Sequence, residues 1–295
     1  MRNVTKKIGV KTIIENLSFT VQKGEVFGLL GPNGAGKTMT IRMIVGLISI
    51  SSGDIFIQGK NITTDFTKAI AQVGAIVENP ELYNFLTGYQ NLLHFTNLSP
   101  GVSNKRIEEL VGFLKLGDYI HEKVATYSLG MKQRLGIAQA LLHHPSVLIL
   151  DEPTNGLDPA GIKELRQYLR YLADEEDVAV IVSSHILAEM DLLCDRTAII
   201  KNGKLLDVRS LTEATGQFIQ FEVDRPIEAV NIINNKLPGV KVTIEGNYLG
   251  VNVNRENAAQ INTNLIGQGI IVYGFGPKTK SLEDIFMEVT VDGND

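Results

Sequence analysis

The chain has 295 residues, 44% of them apolar and 21% charged, with a formal net charge of −5. That size allows one large domain with a smaller one, or two modest ones, and the composition excludes a disordered chain. The acidic balance and the lack of aromatic-interleaved basic stretches argue against a nucleic-acid partner, and no apolar run approaches the ~18 residues of a bilayer span.

The single cysteine, Cys194, comes directly after Leu192-Leu193. It has no partner for a disulfide, which suits a reducing compartment, and it reads as a small buried hydrophobe. Residues 1–7 are not succeeded by the apolar core of a signal peptide. The expectation is a cytosolic protein whose membrane role, if it has one, comes through a partner.

In chain order, residues 19–21 and 26–30 are short β-favouring runs joined by the turn Lys23-Gly24. A helical pattern occupies residues 39–47, and residues 54–57 with Gly59 read as a hairpin arm. Between the strand at 26–30 and the helix at 39–47 lies Gly31-Pro32-Asn33-Gly34-Ala35-Gly36-Lys37-Thr38, a match to G-x-x-x-x-G-K-[ST] in the strand–loop–helix context it requires. Successive backbone N–H groups and the positive helix N-terminus make such a loop an anion site for a triphosphate. Glycine is needed where a side chain would block that approach or where φ is positive. Lys37 is expected to reach the β- and γ-phosphates, and the Thr38 hydroxyl to ligate Mg²⁺.

Residues 86–144 are mostly helical in pattern. Residues 104–116 and 129–143 carry apolar side chains at i, i+3, i+4 spacing, and Pro145 ends the second helix. The tandem His143-His144 at that helix end is read as charge complementarity with the helix terminus rather than as a metal site. Strand-like runs return at 147–150 and 178–183 around a helix at 160–173, which predicts a parallel sheet with right-handed crossovers. The first of these runs, Val147-Leu148-Ile149-Leu150, ends in Asp151-Glu152. Ligands of parallel sheets bind at the carboxyl ends of strands. Asp151 there can hold Mg²⁺, directly or through water, and Glu152 can orient and polarise an attacking water.

Around residues 210–216 the character shifts. The rest of the chain reads strand 218–223, helix 227–236, strand 240–245, strand 248–253, helix 257–267, strand 270–274 and helix 281–289. A β-α-β-β-α-β order of this size predicts a small ferredoxin-like α+β domain. It carries no catalytic constellation and is read as a regulatory or dimer-supporting appendage.

Taken together, these motifs resemble the ATP-binding cassette (ABC) family over residues 1–212. Tyr127-Ser128-Leu129-Gly130-Met131-Lys132-Gln133-Arg134, upstream of Asp151, resembles the family's signature loop. Ser128 and Gly130 match its usual serine and second glycine, while Leu129 and Met131 depart from the LSGGQ form. Asn155-Gly156-Leu157-Asp158 resembles the D-loop, and His185 falls at the switch-histidine position. Three departures stand out. Glu78 occupies the place of the Q-loop glutamine, Ile8 that of the adenine-stacking aromatic, and Met39 that of a hydroxyl residue near the α-phosphate. Glu78, the Ser-Leu-Gly-Met signature and the appended C-terminal domain are similar to the branch serving bacitracin-type antibiotic resistance and lantibiotic self-immunity.

The resemblance implies an α/β P-loop NTPase cassette over 1–212, with a mostly parallel sheet and a helical subdomain at about 86–145, and an accessory domain over 213–295. It implies ATP and Mg²⁺ as cofactors and Lys37, Glu152 and His185 as catalytic residues. Nucleotide contacts would come from the loop Gly31, Pro32, Asn33, Gly34, Ala35, Gly36, Lys37 and Thr38, with Ile8 and Glu78. Metal contacts would come from Thr38, Asp151 and Glu78. Ser128 and Gly130 would face the γ-phosphate bound by a second cassette, giving a head-to-tail dimer, expected here to be a homodimer. The implied function is an exporter's ATPase subunit, peripheral on the cytoplasmic membrane face and docked to a separate permease near residues 78–91. Residues 82–86 supply candidate apolar anchors for that docking. A non-transport ABC ATPase of translation or DNA repair is the alternative; such relatives carry two cassettes or a long coiled coil. A metabolic P-loop kinase would leave the signature loop, Asp158 and His185 unexplained.

Overall fold

The computed structural model describes residues 1–99, 101–210, 218–237, 239–240 and 242–277. Two compact units divide them, Met1–Arg209 and the residues from 210 onward. The first unit runs β1 (Arg2–Ile8), β2 (Lys11–Leu17), β3 (Val26–Leu30), α1 (Lys37–Ile44), β4 (Ser52–Asp54), β5 (Phe56–Ile57), β6 (Lys60–Asn61), α2 (Phe66–Ile70) and β7 (Val73–Ile76). It continues with α3 (Gly88–Leu98), α4 (Asn104–Phe113), α5 (Leu129–Leu141), β8 (Val147–Asp151), α6 (Pro159–Asp174), β9 (Ala179–Ser184), α7 (Leu187–Leu193), β10 (Arg196–Lys201) and β11 (Lys204–Ser210).

A six-stranded sheet of order β11-β10-β3-β9-β8-β7 is its centre. The pairs β10–β3, β3–β9, β9–β8 and β8–β7 are all parallel. Strands covered on both faces need continuous apolar runs, and the fully buried Val-Phe-Gly-Leu-Leu of β3 and Ala-Val-Ile-Val-Ser-Ser of β9 are such runs. Parallel register brings the carboxyl ends of β3, β8 and β9 to one edge, with Leu30 beside Ser184 and Asp151 beside Ser183. The phosphate loop, Glu152 and His185 each come directly after one of these strands.

The helices are placed by side-chain caps and by close backbone contact. Asp158 caps α6 by accepting from the Gly161 amide at 2.9 Å, and Pro159 fills the first turn. The buried face of α6 carries Leu165, Tyr168, Leu169, Leu172 and Ala173, the spacing of one helical stripe. Thr87 and Gln90 form a reciprocal capping box at the start of α3. Helix α5 lies hard against β7, where a Cβ on Gly74 would fall 2.1 Å from the Ala140 carbonyl oxygen. Pro80 packs on the same helix, 2.6 Å from where a Gly136 Cβ would be. The segment that leads to and from Glu78 is thereby seated on α5.

Two expectations are corrected here. Residues 19–21 are not a strand. Phe19 is instead a buried plug stacked on Phe27, with ring centroids 5.3 Å apart. The strands lie earlier, in the antiparallel β2-β1-β4 sheet, where the polar residues of Arg2–Ile8 and two register irregularities mask the period-2 signal. His143 does not serve the helix terminus by its charge. Its ring nitrogen Nε2 lies 3.1 Å from the Val73 carbonyl, and burial holds its pKa below the ordinary histidine value, favouring the neutral ring. Cys194 is buried, and desolvation raises its pKa, as fits an inert thiol.

The second unit runs β12 (Phe218–Val223), α8 (Pro226–Lys236), β13 (Val242–Glu245), β14 (Tyr248–Asn252), α9 (Arg255–Gly267) and β15 (Val272–Pro277). Its sheet has the order β13-β14-β12-β15 with every pairing antiparallel. Ile219, Phe221, Val223, Leu249 and Val251 face Ala229, Ile233, Ala258, Ile261 and Leu265 in a core of its own. The last strand begins at Val272 rather than at residue 270. Ile270 is buried in the turn after α9, where its amide donates to the Leu265 carbonyl. The predicted boundary at 212–213 and the helix at 281–289 lie outside the described residues.

Candidate active site

A pocket of about 460 Å³ opens at the carboxyl edge of the central sheet, lined by Asn33, Gly34, Ala35, Gly36, Lys37, Thr38, Met39 and Arg42 from the phosphate loop and α1. Ile13, Glu78, Glu152, Asn155 and His185 complete its wall. The loop conformation depends on glycine. Gly34 and Gly36 have φ of 79° and 110°, in the left-handed region closed to most side chains. A Cβ on Gly31 would stand 2.2 Å from the Ile200 carbonyl oxygen. The amides that open α1 have no acceptor within the helix, so they are available to an anion in the pocket.

Lys37 is almost completely buried. Its ammonium donates to the Gly31 carbonyl at 2.7 Å and lies 3.2 Å from Glu152 Oε1. The other carboxylate oxygen of Glu152, Oε2, is 2.9 Å from His185 Nδ1. The three catalytic candidates therefore form one contiguous chain, Lys37–Glu152–His185, across the ends of three elements. Glu152 adopts φ of 48°, uncommon for a residue with a Cβ, at the turn leaving β8. Its backbone is held there by donation from its amide to Ser183 Oγ at 2.9 Å.

Ser183 also donates to Asp151 Oδ1 at 2.5 Å, and both residues are buried. Asp151 thus stands behind the pocket wall rather than in its lining. Sequence reasoning missed the bridging role of Ser183, because a serine late in an apolar strand gives no pattern of its own; the β8–β9 register supplies it. Ser183→Ala would leave a buried carboxylate oxygen and the Glu152 amide without their shared partner. The expected result is a loss of about 1–3 kcal/mol in unfolding free energy, read from denaturant melts, together with slower ATP turnover. Unchanged values for both would show that Ser183 positions neither acid.

The remaining candidates divide. Glu78 reaches the pocket, with φ of 66°, and pairs with Arg42 at 2.6 Å. Thr38 lines the pocket, whereas Ile8 does not: it ends β1 beside the exposed hairpin tip and is 54% exposed. Ile13, on β2, is the residue of the β1–β2 hairpin in the lining.

Ser128 and Gly130 are not in this pocket. They line a second one of about 370 Å³, with Leu129, Met131, Gly156 and Asp158 among its neighbours. Ser128 caps α5, its hydroxyl accepting from the Met131 amide at 3.3 Å. The non-standard Leu129 is accommodated by Gly156, whose φ is 74° and whose absent Cβ would fall 2.3 Å from Leu129 Cδ2. One chain therefore carries the phosphate loop and the signature loop in two separate pockets.

A divalent cation fits the donor set by its chemistry. Thr38 and Glu78 in the pocket lining, and Asp151 behind it, offer hard oxygen atoms only, and no cluster of three or more His, Cys, Asp or Glu suited to a metal occurs among the described residues. That combination suits Mg²⁺, which takes one or two carboxylates and completes its shell with water and phosphate, rather than a metal caged by protein alone.

A family model described as "ABC transporter" matches residues 14–155. An uncharacterized ABC transporter ATP-binding protein of Bacillus subtilis (strain 168), YhcH, is 51% identical over 293 residues, spanning 98% of this chain and 95% of the relative. The bacitracin transport ATP-binding protein BcrA of Bacillus licheniformis is 37% identical, spanning 99% of this chain and 96% of the relative. Among solved structures, a dimeric post-hydrolysis state of the cassette MJ0796, bound to ADP and Pi, superposes with a TM-score of 0.65 at 25% identity. That likeness covers 71% of this chain and 97% of the other.

Proposed function

The chain belongs to the ABC transporter family as an ATP-binding subunit, and on that premise we propose that it hydrolyses ATP to ADP and phosphate to drive a separate membrane permease that exports peptide antibiotics or similar amphipathic compounds. The observation that carries the hydrolytic reading is the contiguous Lys37–Glu152–His185 arrangement beside the glycine loop.

In this reading the loop amides and Lys37 hold the phosphates, and Lys37 offsets the charge that develops between the β- and γ-groups. Glu152 orients a water against the γ-phosphate and takes its proton. His185, hydrogen-bonded to Glu152, holds that carboxylate in place and contacts the γ-phosphate. Thr38, Asp151 and Glu78 would hold Mg²⁺, which when bound supplies neutralising charge on the phosphate oxygens. Ser128 and Gly130, at the N-terminus of α5, would complete the site of a second copy, since the phosphate and signature loops of one chain lie in different pockets.

No helix among the described residues is long and apolar enough to cross a membrane, and in this reading the membrane part is a separate permease. The exposed Phe85 and Tyr83, whose rings meet at 5.8 Å, suit a docking point for it on the peripheral subunit. The relatives do not favour a non-transport ATPase of translation or DNA repair. The test is purification of the tagged chain from its host's membranes. A co-purifying polytopic membrane protein is expected, and its loss on Phe85→Ala would locate the contact. Recovery of ribosomal or repair proteins alone, with the chain absent from membranes, would overturn the transport role.

A further inference from the structure

The ion pair between Arg42 and Glu78 is not accounted for by the hydrolytic machinery. Arg42 Nη2 donates to Glu78 Oε1 at 2.6 Å, and both residues line the phosphate-loop pocket. They come from different elements, Arg42 from the last turn of α1 and Glu78 from the segment after β7. The Arg42 backbone has a separate task, its carbonyl accepting from the amides of Leu47 and Ile48 where the helix ends. A side-chain substitution leaves those bonds in place.

We propose that Arg42 is a positioning residue for Glu78, and that this pair makes a carboxylate rather than an amide the working group at position 78. The inference rests on the reading of this pocket as the nucleotide site. An unpaired carboxylate on the wall would repel an incoming triphosphate, an interaction that weakens only slowly with distance in a half-enclosed site. Paired with Arg42 it is locally neutral and fixed. The Glu78 side chain is 58% exposed and would otherwise lose rotamer freedom on ordering. A guanidinium presents donors that match a carboxylate; an amide at position 78 would leave Arg42 an uncompensated cation. Arg42 therefore supplies what a glutamine at position 78 would not need. Pro80, two residues after Glu78, packs on Gly136 of α5.

The test is a double-mutant cycle read by the binding of a fluorescent ATP analogue, with Mg²⁺ and with EDTA, and by the melting temperature of each ligand-free variant. Arg42→Gln should weaken binding about fivefold or more in the native background and less than about twofold when Glu78 is already Gln. Arg42→Lys, which keeps the charge, should recover most of the loss. Glu78→Gln alone should leave metal-free binding within about twofold of native, because the carboxylate it removes is already neutralised by Arg42. An equal loss from Arg42→Gln in both backgrounds, no loss in either, or metal-free binding tightened severalfold by Glu78→Gln would each overturn the proposal. Failure of the native chain to bind the analogue would instead sink the nucleotide site itself, and this inference with it.

Discussion

Replacing Glu152 with Gln is expected to lower ATP turnover by about 10²–10⁴-fold while nucleotide binding persists. The substitution is nearly isosteric, so the 2.9 Å contact to His185 and the backbone bond to Ser183 have a geometric counterpart. The change removes the proton acceptor, together with a negative charge 3.2 Å from Lys37. Loss of that charge removes repulsion toward the phosphates, so binding of a fluorescent ATP analogue should be equal or tighter. The variant should accumulate in its ATP-bound form, and dimerise there if the two pockets belong to a two-copy site. Phosphate release at the native rate would show that another group activates the water.

Lys37→Ala should have the opposite profile, with nucleotide affinity itself falling by roughly a hundredfold or more. The ammonium is buried and held by the Gly31 carbonyl and Glu152, so its removal takes a fixed positive charge from the floor of the pocket. It also leaves the partly buried Glu152 carboxylate facing an anion without compensation. The double variant Lys37→Ala, Glu152→Gln should therefore recover part of the lost affinity. Calorimetric titration separates these outcomes. Binding by Lys37→Ala within a few-fold of native would remove Lys37 from the phosphate site, and no recovery in the double variant would show that the Lys37–Glu152 contact does not govern affinity.

The motifs that speak through the backbone are legible in the chain. The glycine loop declares itself because positive φ and close approach restrict the residue type at particular positions. The central strands declare themselves because double-sided burial demands unbroken apolar runs. The edge elements do not. The β1–β2 hairpin is polar along most of its length, and its irregular register decides that Ile13 rather than Ile8 lines the pocket. His143 escapes a sequence reading because nothing local signals that its ring meets the Val73 carbonyl on a strand 70 residues away.

Residue types and their local spacing set the chemistry available: a phosphate loop between a strand and a helix, two carboxylates at a strand end, and a signature loop with its own cap. Those are local arrangements, set by residue type and spacing within a few positions. Which of these groups meet depends on the packing of distant elements. Parallel register set Ser183 between Asp151 and the Glu152 backbone, and brought His185 to Glu152 and Glu152 to Lys37. It placed Arg42 against Glu78 and put the signature loop in a different pocket from the phosphate loop. Such contacts join residues from separate elements, and their partners are chosen by sheet order and helix packing, which no run of neighbouring residues encodes.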